Sequence, residues 1–167
     1  MPGPSPAKQL DAFIAKFTPA VAAQARAALA KLRPRLRGAI ELVYDNYNAL
    51  AIAFSATEKV GDVVCSIALY PRWVSLFFMH GAELPDPHAR LRGSGRGIRH
   101  VKLDGAATLD EPAVKALLAA ARARGTIDPK QPSRIVVKSV SPKQRPRRPA
   151  AARPKAHGTR RAGRALR

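Results

Sequence analysis

Aromatic residues make up only 5% of this 167-residue chain, with one tryptophan, and there is one cysteine. A lone Cys65 cannot close an intramolecular disulfide, which excludes the cross-linked scaffolds of small secreted domains. It lies in the apolar run VVCSIALY, where a packed core thiol is expected; a nucleophile would need an accessible position and a depressed pKa. Acids are also few, 11 against 30 Lys+Arg, for a formal net charge of +19. No stretch approaches the roughly 18 to 20 apolar residues of a membrane helix, and the opening MPGPSPAKQL lacks the apolar region of a secretory signal. A soluble, cytoplasmic protein with no membrane partner is the expectation. Nor is there a Ser/His/Asp or paired-carboxylate pattern, so the sequence offers no catalytic residues and no cofactor, and it does not read as an enzyme.

The positive charge that is present is unevenly spread. Residues 126–167 contain one acid, Asp128, and carry +12 of the net +19. A domain of typical size fits before that point, which predicts a folded unit over 1–125 and a basic tail over 126–167. Such asymmetry suits a tail that contacts nucleic acid or another polyanion.

Within residues 1–125 the periodicities define an α+β order. Ser5 and Pro6 open a helix with Leu10, Phe13, Ile14 and Phe17 on one stripe, and Thr18 and Pro19 open a second with Val21, Ala25, Ala28, Leu29, Leu32 and Leu36. Pro34 should kink or end it. Period-two alternation then predicts a hairpin around Leu42 to Phe54, strands over 63–70 and 73–79, a long loop over 80–97 with a helical turn near His88 to Leu91, and a fifth strand over 98–103. Asp110, Glu111 and Pro112 start a last helix that stops at Gly125. The expected fold is two N-terminal helices, a five-stranded, mostly antiparallel sheet, and a C-terminal helix packed on it. Ile135 to Val137 suggests a brief extra strand. From Ser139 onward there are many cations, no acid and almost no large apolar residue, the composition of a disordered segment.

Three segments, VYDNYNALAIAF, SIALYPRWVSLFFMHGAELPDP and LRGSGRGIRHVKL, resemble the YdhG-like domain family over about residues 8–124. The resemblance implies an α+β domain with an antiparallel sheet. One branch of that family is associated with frataxin-like iron delivery, which requires clustered hard oxygen ligands. Here the first helix offers only Asp11 and the second no acid, so the iron role does not carry over to these residues.

The remaining candidates are binding sites. Gly93, Ser94, Gly95, Arg96 and Gly97 form a glycine-rich turn that can aim backbone N–H groups at an anion, with Arg72 and Lys102 as supporting cations. The alternative is a flexible entry to the fifth strand, because P-loop spacing is missing and no helix follows. His80, Glu83, Asp86 and His88 match no established metal spacing. Tyr44, Tyr47, Tyr70 and Trp73 either close the ends of the sheet or stack a flat ligand or base. In the tail, Arg145, Arg147, Arg148, Arg153, Lys155, Arg160 and Arg161 sit among Pro and Ala, a composition that keeps cations extended for phosphate contact. The leading expectation is a non-enzymatic binding module whose tail holds DNA or RNA without base specificity. The rival is a domain for a small anionic ligand, of transport or chaperone type, that uses the loop His80 to Gly97.

Overall fold

A computed structural model describes residues 1–151. The two N-terminal helices begin where their caps place them. Ser5 Oγ accepts from the Lys8 amide at the start of α1 (Pro6–Ala15), and Thr18 Oγ1 accepts from the Val21 amide at the start of α2 (Pro19–Arg35). In both, proline occupies an early position that needs no intrahelical donor. Pro34 falls in the last turn of α2, and the helix stops one residue later.

The strands are β1 (Ile40–Asp45), β2 (Leu50–Ser55), β3 (Val63–Leu69), β4 (Val74–Phe78), β5 (Arg99–Leu103) and β6 (Arg134–Val140), with α3 (Pro112–Arg124) between the last two. They form one sheet in the order β5-β4-β3-β2-β1-β6. Neighbours from β5 to β1 are antiparallel, and β6 runs parallel to β1.

The sheet is therefore mixed and six-stranded, not five-stranded as the sequence suggests. The tail prediction changes with it. Residues 126–133 dock on Gly38, whose amide donates to Ser133 Oγ while Gln131 Nε2 donates to its carbonyl. Beyond them, Ile135 and Val137 pack against the main core and Val136 points to the other face. A segment too polar to build a core of its own is ordered by one that already exists. The folded unit extends well past Gly125.

All three helices lie on one face of the sheet. Their buried residues, from Leu10 and Phe17 through Leu32 to Leu118, join Val43, Ile52, Phe54, Ile67, Leu76, Phe78 and Val101 in a single cluster. Among the described residues no helix contributes to the second cluster, formed by Ile40, Leu42, Ala53 and Val63 on the opposite face. Glu58, in the β2–β3 connection, ion-pairs with Arg134 at 2.8 Å and Lys138 at 3.4 Å. It thereby ties that connection to β6.

Gly125 ends α3 in an extended conformation. It is glycine for lack of space, since a Cβ there would lie 2.5 Å from Val64 Cγ2. In the 80–97 loop the helical turn forms at Gly81–Glu83 and not near His88. Asp86 instead accepts from the Arg90 and Leu91 amides at 2.8 and 2.9 Å and folds that stretch around its carboxylate.

Candidate nucleic-acid interface

Register gathers the turns at one end of the sheet. Asp45 pairs with Leu50 and with Val140, Leu50 with Leu69, Leu69 with Val74, and Val74 with Leu103. The β1–β2 turn (46–49), the β3–β4 turn (70–73), the end of β5 and the exit from β6 thus share one rim. Three of the four tyrosine and tryptophan candidates, Tyr47, Tyr70 and Trp73, lie on it. The fourth, Tyr44, is one residue inside it on β1.

Cations sit on these rings. The Tyr70 and Trp73 rings stack with centroids 4.8 Å apart, and Lys102 Nζ lies 5.9 Å from the Trp73 centroid. Lys102 reaches it because β5 pairs it with Ser75, two residues beyond Trp73 on the same side of β4. At the other end of the rim, the Arg145 guanidinium lies 5.7 Å from the Tyr47 centroid, and its amide donates to the Tyr47 carbonyl. Such cation–aromatic pairs are worth about 0.5–1 kcal/mol when exposed. Burial of its hydroxyl raises the Tyr70 pKa.

The first residues of the basic segment are anchored beneath this rim. Asp45 is fully buried and bonds to Lys16 Nζ at 2.8 Å and Arg147 Nη2 at 2.7 Å. Arg147 also donates to the Asn46 carbonyl at 2.5 Å and lies over the Phe17 ring. Burial alone would raise the Asp45 pKa, but hydrogen bonding with Lys16, Gln144 and Arg147 outweighs it and holds the carboxyl below its ordinary value. Arg147, 6% exposed, is a structural anchor and corrects its reading as a phosphate contact. Arg145 and Arg148 remain exposed, Arg148 donating through Nε to the Lys16 carbonyl. Arg153, Lys155, Arg160 and Arg161 lie outside the described residues.

The glycine-rich loop is not drawn together with its supporting cations. Arg99 donates to the Gly95 and Ile98 carbonyls and closes the loop on itself, and Gly93 takes the positive φ of 118° that the turn needs. Gly93, Ser94, Gly95 and Arg96 are exposed in that loop, Arg72 is exposed in the β3–β4 turn, and Lys102 lies over Trp73. No described cavity is lined by Arg72, Arg96 and Lys102 together.

His80 instead borders a cavity of about 110 Å³ between the start of β3 and the end of α3. The neighbouring carboxylates are engaged elsewhere, Glu83 with Arg124 and Asp86 with backbone amides. Among the described residues no three His, Cys, Asp or Glu side chains are grouped to hold a metal. Cys65 is fully buried in β3, and burial pushes its thiol up to about 12.

Sequence reasoning missed the Asp45–Arg147 anchor. The one available signal was an acid in a strand otherwise bound for the core, which needs a buried counter-charge.

No helix among the described residues is long and apolar enough to cross a membrane. No family model, curated protein or solved structure matches the chain.

Proposed function

We propose that the chain is a YdhG-like α+β module that binds nucleic acid through the phosphate backbone, without base-sequence preference, using the basic region after β6. The observation that carries this reading is the disposition of charge. All but one of the 11 acids have partners within the protein. Asp11, Glu41, Asp45, Glu58, Glu83, Asp110 and Glu111 are in ion pairs. Asp62 accepts from Thr57, and Asp86 and Asp128 accept from backbone amides. Among the described residues Asp104 alone has no such partner.

The exposed cations Arg72, Arg96, Lys102, Lys115, Lys143 and Arg145 therefore have no acid partner among the described residues. Arg153, Lys155, Arg160 and Arg161 add to the same excess. A surface with that balance attracts phosphates by releasing their condensed counterions.

The test compares the full chain with a variant carrying Gln at Arg153, Lys155, Arg160 and Arg161, titrating DNA and RNA at several salt concentrations. Each engaged cation contributes about −0.9 to the slope of log K against log salt on duplex DNA, so the slope should weaken by up to roughly 3 to 4. An unchanged slope and affinity would remove the basis of the reading.

A further inference from the structure

We propose that the turn rim of the sheet is a stacking track for single-stranded nucleic acid, with unpaired bases on Tyr47 and Trp73 and phosphates held by Arg145, Lys143, Lys102 and Arg72. It rests on the reading above and gives it a substrate form. Phosphate contact by a tail does not distinguish single strands from duplexes, whereas stacking on an exposed ring needs a base that has left its pair.

Three observations converge. Tyr47 and Trp73 are among the few large apolar side chains left exposed, at 49% and 37%. They sit on turns that the register places at the same end of the sheet, Tyr47 just after β1 and Trp73 just before β4, a separation of two to three strand spacings, roughly 10 to 14 Å.

Each ring also carries its own cation over it, Arg145 on Tyr47 and Lys102 on Trp73, and Tyr70 stacks on Trp73, so an incoming base takes the place of a cation that is already at hand for its phosphate. The ion pair of Asp45 with Arg147 fixes the chain that delivers Arg145 to Tyr47. One group opposes the track: Asp104, exposed at the end of β5, follows directly on Leu103 at the rim.

Trp73 is the chain's single tryptophan, so its fluorescence reports on the site in the intact protein. The probes are a labelled ten-residue oligothymidylate, a duplex of equal length and inorganic polyphosphate. Oligothymidylate should quench Trp73 saturably, and polyphosphate, which has charge without bases, should not. Tyr47→Ala should weaken oligothymidylate binding about five- to a hundredfold with little effect on the duplex. Trp73→Leu, followed by anisotropy of the labelled strand, should do the same, and Asp104→Asn should tighten binding. Unchanged thermal melting of each variant shows that the fold is intact.

Salt-sensitive binding with no quenching, and no single-strand-selective loss in either aromatic variant, overturns the stacking track and leaves tail binding standing. Absence of binding to every probe overturns both.

Discussion

Asp45→Asn tests how the start of the basic segment is held to the domain. The substitution keeps the shape of the side chain and removes the charge that faces Arg147 and Lys16. Arg147 Nε and Nη1 are already buried without partners among the described residues, so the loss leaves a guanidinium with only the Asn46 carbonyl to accept from it.

Uncompensated burial of one member of an ion pair costs about 3–5 kcal/mol when the group cannot move. Here it can. Residues 141–151 can lift away and return Arg147 to water, so the penalty is capped by what docks that segment. This includes the backbone bonds Ser141 N–H to Asp45 O and Arg145 N–H to Tyr47 O, each worth about 1 kcal/mol net. The expected loss is about 2 kcal/mol, a fall in Tm of roughly 4–8 °C for a unit of this size.

Hydrogen exchange localises the effect: the amides of Ser141 and Arg145 should exchange faster in the variant, while those of β3 keep their protection. Because the folded carboxyl is held below its ordinary value, its contribution is complete above about pH 4. It is lost as the pH falls through the folded pKa. The Asp45→Asn protein should lack that part of the acid sensitivity. Wild-type exchange at both amides, or an unshifted Tm, would refute the reasoning.

Further outcomes follow from packing. Gly38→Ala should destabilise by more than about 1 kcal/mol in denaturant, because φ is +89° and a Cβ would meet the Asp128 carbonyl at 2.0 Å. Gly125→Ala should cost about 1–3 kcal/mol by overpacking Val64, again read from the denaturation midpoint. Cys65 should resist a thiol reagent at pH 8 in the native protein and react at once in denaturant, since its buried thiol is pushed up to about 12. A chain cut after Gly125 should be less stable than the whole protein by thermal melting, because it loses β6 and Arg147.

Local chemistry made much of the fold legible. Ser5-Pro6 and Thr18-Pro19 carry their own start signals, and the alternation of Ile67 and Leu69 with Ala68 assigns faces without knowledge of any partner strand. The aromatic candidates were visible too, because Tyr70 and Trp73 flank a two-residue Pro-Arg turn. That Tyr47, Arg145, Trp73 and Lys102 share one rim depends on the register of six strands, which local pattern does not specify.

The sequence by itself therefore determined the helix starts, the antiparallel strands from β1 to β5, the buried cysteine and the excess of positive charge. These rest on interactions between near neighbours and on composition. Only the tertiary structure decided that β6 joins the sheet beside β1 and which arginine of RPRRP is a buried anchor. The segment after Gly125 has too little apolar surface to order itself. Its stability comes from the unpaired edge of β1, the backbone of Gly38 and the carboxylate of Asp45, about a hundred residues earlier in the chain.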